Sequence, residues 1–275
     1  MKKITTLVLA ASALLFYGTA AAQLYVRAGA GYALPFAGQT YTDQQISLNI
    51  SSYSGYTVKS FSYSAGVQGT ASVGYMLNRH VGFQVDAAIG IANKQYAYKE
   101  NGNFAGISYM QVTTSADHTI IIMPSLVLQT GGEVWSVYCR TGPALPANTK
   151  ITRELAFVQT QSTGTDAIYE KVRYSNNFSL GYATATGVSY NWGGRASLWC
   201  ELNVLSLSEN AKKEELETYI KNGQNIPLTQ FSSTIHYFDK NGGSTNSPTF
   251  SQPLSNIGLT AGLKINLTQK RTKYL

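Results

Sequence analysis

The feature that most restricts this chain is a two-residue rhythm. Eight segments of about ten residues set apolar side chains against small or polar ones at alternate positions, as a half-buried strand requires. In the first, Leu24, Val26, Ala28, Ala30 and Tyr32 share one face, and Tyr25, Arg27, Gly29, Gly31 and Ala33 share the other. The cleanest puts Val81, Phe83, Val85, Ala87, Ile89 and Ile91 against Gly82, Gln84, Asp86, Ala88 and Gly90. The last sets Ile257, Leu259, Ala261, Leu263 and Ile265 against Gly258, Thr260, Gly262, Lys264 and Asn266. Segments 67–77, 122–129, 134–142, 178–192 and 196–204 repeat the pattern. A helix cannot sort such a sequence onto one face, so the chain is read as all-β.

The N-terminus is of a different kind. Met1, Lys2 and Lys3 precede an apolar run over 7–16, and Ala20, Ala21 and Ala22 precede Gln23, which is the order of a cleaved secretory signal. Residues 1–22 are therefore expected to be removed. Beyond them nothing reaches the roughly 18 consecutive apolar residues of a membrane helix. An exported chain of this sort is either a soluble β-protein or a closed barrel that crosses an outer membrane with strands.

The spacing between segments separates the two. Tight turns at 78–80, 130–132 and 191–194 alternate with long connections over 35–64, 92–119, 143–177 and 206–255. Short turns on one rim and long loops on the other are the habit of outer-membrane barrels, periplasmic and extracellular respectively. A soluble β-sandwich or lipocalin-like barrel would carry long charged side chains on its wet face. Here that face holds mainly Gly, Ala and Ser, and only 13% of the 275 residues are charged, against about a quarter in ordinary domains. Tyr75, Trp135, Tyr190 and Trp192 lie beside the short turns, and Tyr32, Phe61, Tyr63 and Phe178 lie where segments meet long loops, as two interfacial belts would.

On these residues the chain resembles the small outer-membrane β-barrel proteins of the OmpA and OmpX type, often labelled porin-family proteins of Gram-negative cells. The likeness rests on the opening from Leu24 to Gly29, the hairpin from Gly74 through Phe83, and the closing run from Ile257 to Lys264. It implies an eight-stranded antiparallel transmembrane β-barrel over 23–267, with four long extracellular loops and a short basic periplasmic tail over 268–275. It further implies outer-membrane lipid and the barrel-assembly machinery as partners. The tail, with Lys270, Arg271 and Lys273, replaces the terminal aromatic with which that family ends its last strand.

The alternation turns Arg27, Asp86, Arg140, Glu201 and Lys264 inward. Buried charges persist only when paired and hydrogen-bonded, so the five are expected to form a lumenal network. Eight strands leave room only for side chains, which makes a structural plug the first reading and a narrow gated channel for ions or small solutes the second. A lipid-modifying enzyme is a third, weaker reading. His80, His118 and His236 are the only histidines, and Ser125 stands seven residues along a strand from His118, more than about 20 Å away. Neither a catalytic residue nor a cofactor or metal is expected. Cys139 and Cys200 fall on segments separated by a third, beyond the reach of a disulfide.

The formal charge of +7 falls to +5 without Lys2 and Lys3 (21 − 14 = 7; 7 − 2 = 5), and three of those five lie in the tail. It says little about a partner, and no nucleic-acid module is visible. The loops at 39–63 and 241–255 are rich in Tyr, Ser, Thr, Asn and Gly, a palette suited to recognition, so an unknown surface ligand is expected there, if anywhere. Segment 208–221, dense in Glu and Lys, reads as a short polar helix ending near Gly223. The whole is expected to be a monomer with a structural or surface-interaction role. A count of ten strands stays open, with weak strands in the first or fourth loop.

Overall fold

The computed structural model describes residues 23–36, 62–92, 95–104, 107–161, 164–230, 234–238, 247–248 and 251–268. Residues 1–22, where a secretory signal is expected, most of the first long connection, 239–246 and 249–250 of the last one, and the tail beyond Thr268 lie outside the described residues. The strands in chain order are β1 (Gln23–Pro35), β2 (Gly66–Met76), β3 (Val81–Ala92), β4 (Gln95–Phe104), β5 (Ile107–Gln129), β6 (Trp135–Gln161), β7 (Gly164–Asn176), β8 (Gly181–Gly193), β9 (Ala196–Ser206), β10 (Ser208–Lys221), β11 (Gln224–Asn225), β12 (Thr234–Phe238), β13 (Ser247–Pro248), β14 (Ser251–Pro253) and β15 (Asn256–Asn266).

Eight of them close a ring. The antiparallel pairs run β1–β2, β2–β3, β3–β5, β5–β6, β6–β8, β8–β9, β9–β15 and back to β1. The count is therefore eight, and the additional strands stay outside the ring. Closure removes both sheet edges, so the backbone groups of the wall are satisfied along the ring. Register follows the alternation. Arg27 stands opposite Ser72 and Lys264, Ser72 opposite Asp86, Val127 opposite Arg140, and Gly187 opposite Glu201. The outer wall is apolar on every side: Val73, Val85, Leu126, Val137, Val188, Leu202, Leu259 and Ile265 are all exposed.

Turn chemistry fixes one rim. Asn78 Oδ1 accepts from the backbone N–H of His80 and of Val81 at 2.7 and 2.8 Å, and Gly194, at φ 64°, sits in the two-residue turn between β8 and β9. Glycine adopts that left-handed backbone without the clash a Cβ would bring.

The opposite rim departs from the sequence reading in two ways. Three of the four long connections are largely strand. At 27 residues, β6 more than doubles the roughly ten that cross a membrane; its outer part pairs with β5 and β7, and β7 pairs with β10. Segment 208–221 is β10, not a helix. Facing strands supply Lys171 and Arg173 for Glu217 and Arg153 for Glu214, partners that a solitary polar helix would lack.

The barrel's upper lumen holds an apolar cluster. Inward residues Ile121, Met123, Ala144, Ala183 and Leu205 pack with Tyr63, Leu207 and Leu254. Segments 62–65 and 251–255 are tied together there. Tyr63 N–H donates to the Pro253 carbonyl at 3.0 Å, Leu254 N–H to the Leu207 carbonyl at 2.9 Å, and Asn256 Nδ2 to Ser64 Oγ at 2.5 Å.

Candidate functional site: the lumenal charge network

Below that stopper, four of the five predicted charges meet. Each arrives by the same route: a strand whose outward residues are apolar must turn the alternate ones inward. Arg140, from β6, is central. Its Nη2 lies 2.7 Å from Glu201 Oε1, and its Nη1 lies 3.1 Å from Asp86 Oδ2. Arg27, from β1, places Nη2 at 2.9 Å from Glu201 Oε2. Two cations thus face two anions, and all four residues are at most 6% exposed. The cluster is neutral as a whole, which lets it sit away from water.

Neutral side chains complete the shell. Ser72 Oγ and Gln84 Nε2 each donate to Asp86 Oδ1 at 2.5 Å. Gln84 Oε1 accepts from Tyr25 OH at 2.7 Å and from Arg27 Nη1 at 3.2 Å. Tyr138 OH donates to Glu201 Oε2 at 2.9 Å and accepts from Arg27 Nη2 at 3.0 Å. The Arg27 guanidinium stacks over Trp199, 3.8 Å from the ring centroid. None of Tyr25, Ser72, Gln84, Tyr138 or Trp199 was singled out in the sequence. Their inward parity was the available signal, since they share a face with the charges on their own strands.

Lys264 departs from the expected five-membered arrangement. It forms no ion pair with a carboxylate among the described residues, and its Nζ stands 4.2 Å over the Tyr25 ring. The register explains this: Lys264 is opposite Arg27, so the nearest charge is of its own sign. The space beside it, bounded by Tyr25, Gln84, Tyr138 and Trp199, is about 10 Å³, roughly the room one water needs.

Six of the eight expected belt aromatics face outward; Tyr63 instead turns into the upper lumen, 5% exposed within the apolar cluster there, and Phe61 lies outside the described residues. Trp135, Trp192 and Tyr75 are exposed at the short-turn end, with Trp135 and Tyr190 in ring contact at 4.7 Å. Tyr32 and Phe178 are exposed at the other end. Ser125 Oγ donates to the Met123 carbonyl at 3.3 Å within the lumen, while His118 Nε2 lies 3.2 Å from Asn148 Nδ2 above it, so the two residues do not meet. Cys139 and Cys200 are free thiols on β6 and β9, with β8 between them.

No family model matches the chain, and no curated protein matches it. Among solved structures it is similar to a major outer membrane protein from Thermus thermophilus, at 12% identity and a TM-score of 0.45, over 90% of this chain and 100% of that one. At that distance the likeness carries nothing about activity.

Proposed function

We propose that the chain is an integral outer-membrane barrel of the small OmpA and OmpX kind, exported by its leader, closed to diffusion, and without a catalytic role. The extended hairpins would face outward from the cell and carry a structural or surface-interaction role. One observation supports this above the rest: the polarity of the barrel is inverted. Its charges are paired in the centre while Val, Leu, Ile and aromatic side chains cover the outer wall. In water such a wall would expose far more contiguous apolar surface than a monomer carries. In lipid it is the stable arrangement.

The test is twofold. The full chain should fractionate with outer membranes and, refolded into vesicles, run faster on gels before heating than after. Recovery in the soluble periplasmic fraction overturns the membrane reading. Conductance of the refolded protein in planar bilayers then decides between plug and gated channel. The shared Glu201, held by two arginines, is the feature that favours the channel, because one pairing could replace another. Reproducible current steps altered by Arg27 or Arg140 substitutions would establish it; no steps are expected, since the packed stopper lies in series with the network.

A further inference from the structure

A second concavity lies on the outer rim, and pairing explains why it exists. On its β8 side, β6 stays paired up to Ala144, and its pairing with β7 begins only at Ile151. Residues 145–150 therefore have a strand on one side alone, and the register against β5 slips there, with Pro146 opposite Ile121 and Asn148 opposite Ile120. A bulge at such a branch opens the sheet and re-aims side chains. The result is a cleft of about 360 Å³, within the size range of small-ligand sites.

Its lining is graded. Lys150 and Arg173 are exposed and stand at the mouth, whereas Glu209 is only 4% exposed and stands at the floor. Lys150 takes part in no ion pair among the described residues, and Arg173 is shared with Glu217. Asn176 Nδ2 donates to Glu209 Oε2 at 2.7 Å, while its Oδ1 is buried and accepts no hydrogen bond. That hydrogen bond to Glu209 fixes the Asn176 amide and the Glu209 carboxyl beneath the cleft, so the polar side chains open to it are Asn148, Ser175 and Asn177. Phe178 borders the cleft, and Leu180 and Tyr182 continue from it down the outer wall of β8, all three exposed.

We propose that this cleft takes the phosphorylated sugar headgroup of an outer-leaflet glycolipid, an inference that rests on the membrane reading above. The phosphate meets Lys150 and Arg173 at the mouth through charge-assisted hydrogen bonds. Sugar hydroxyls reach Asn148, Ser175 and Asn177. The acyl chains lie along Phe178, Leu180 and Tyr182 on the barrel wall. A soluble sugar phosphate presents the same polar chemistry without the chains, so the two sources must be separated by experiment.

The full chain is refolded into phosphatidylcholine vesicles containing a phosphorylated glucosamine glycolipid or its dephosphorylated form, and retained glycolipid is counted by native mass spectrometry. Soluble glucosamine phosphate is tested in parallel. The phosphorylated lipid should be preferred by about tenfold or more, and Lys150→Ala with Arg173→Ala should remove that preference. Lys150→Glu, a single change at an exposed position, should do so without affecting insertion. Asn148→Ala should weaken both glycolipid forms alike. Equal retention of the two lipids, or undiminished preference in the Lys150→Glu chain, overturns the proposal. Binding of soluble glucosamine phosphate as tight as that of the lipid overturns the lipid source. A wild-type chain that never becomes heat-resistant in vesicles defeats the membrane reading and this one together; a chain that inserts but does not discriminate defeats this one alone.

Discussion

Replacing Arg140 by Ala should be the most damaging single change in the barrel. Arg140 is the only cation paired with Asp86 among the described residues, at 3.1 Å, and one of two paired with Glu201, at 2.7 Å. After its loss Glu201 keeps Arg27 and Tyr138, but Asp86 keeps only the neutral donors Ser72 and Gln84. The uncompensated charge is thus mainly that of Asp86, and breaking a buried pair on one side costs about 3–5 kcal/mol. Arg27→Ala should cost less, about 1.5–3 kcal/mol, because both carboxylates keep Arg140. Adding Asp86→Ala to Arg140→Ala removes the stranded charge, so the double variant should be more stable than the sum of the singles by about 0.5–3 kcal/mol. The assay is urea unfolding of vesicle-refolded protein by tryptophan emission, to which Trp199 contributes, alongside gel mobility before heating. With ordinary urea slopes, Arg140→Ala should lower the midpoint by more than about 1 M. A loss within about 0.5 kcal/mol, or no coupling between positions 86 and 140, would refute a stabilising network.

Other outcomes follow from the same geometry. Val85→Lys, on the exposed outer wall, should destabilise the vesicle-refolded barrel by about 2–4 kcal/mol, and an unchanged urea midpoint would speak against lipid around that residue. A Cβ at Gly74 would run into the Tyr25 ring, so Gly74→Ala should cost about 1–3 kcal/mol, whereas Gly69→Ala, with nothing within 4 Å, should be near neutral in the same titration. Burial pushes the Glu209 carboxyl above its ordinary range, against the opposing hydrogen bond from Asn176. The folded chain then holds a proton that the unfolded chain releases, so stability falls as pH rises through the ordinary Glu range to the raised value. Glu209→Gln should flatten that fall, and an unchanged pH profile would count against it. Cys139, exposed on the wall, should resist a water-soluble maleimide in vesicles and react in denaturant; equal labelling in both would place it in water.

Segment 208–221 shows where sequence reading loses its footing. Its Glu and Lys residues satisfy a helical period as well as a strand period, so local preference could not decide. What decided was β7, which runs alongside and offers Tyr174 opposite Glu214 and Arg173 opposite Glu215. The outer halves of β5 and β6 were missed for a related reason. Their alternation is interrupted by register slips near Ala116 and Ile120, so each reads as a loop unless its partner is known. The lumenal charges were easier. Position parity alone turned Arg27, Asp86, Arg140 and Glu201 inward, because in a closed ring an odd step along a strand is a change of side. Lys264 obeys the parity but not the pairing, since its depth, set by the stagger between β1 and β15, leaves it opposite Arg27.

The sequence by itself determined the ring: eight alternating segments, short turns at one rim, an apolar outside and a charged inside. Those follow from periodicity, which is local and survives in one dimension. Only the tertiary structure decided which charge meets which, that a stopper built from 62–65 and 251–255 fills the upper lumen, and that β6 parts from β8 before it meets β7 and so opens a cleft. These depend on stagger and on contacts between residues far apart in the chain, such as Arg27 with Glu201 and Ser64 with Asn256, and no local pattern encodes them.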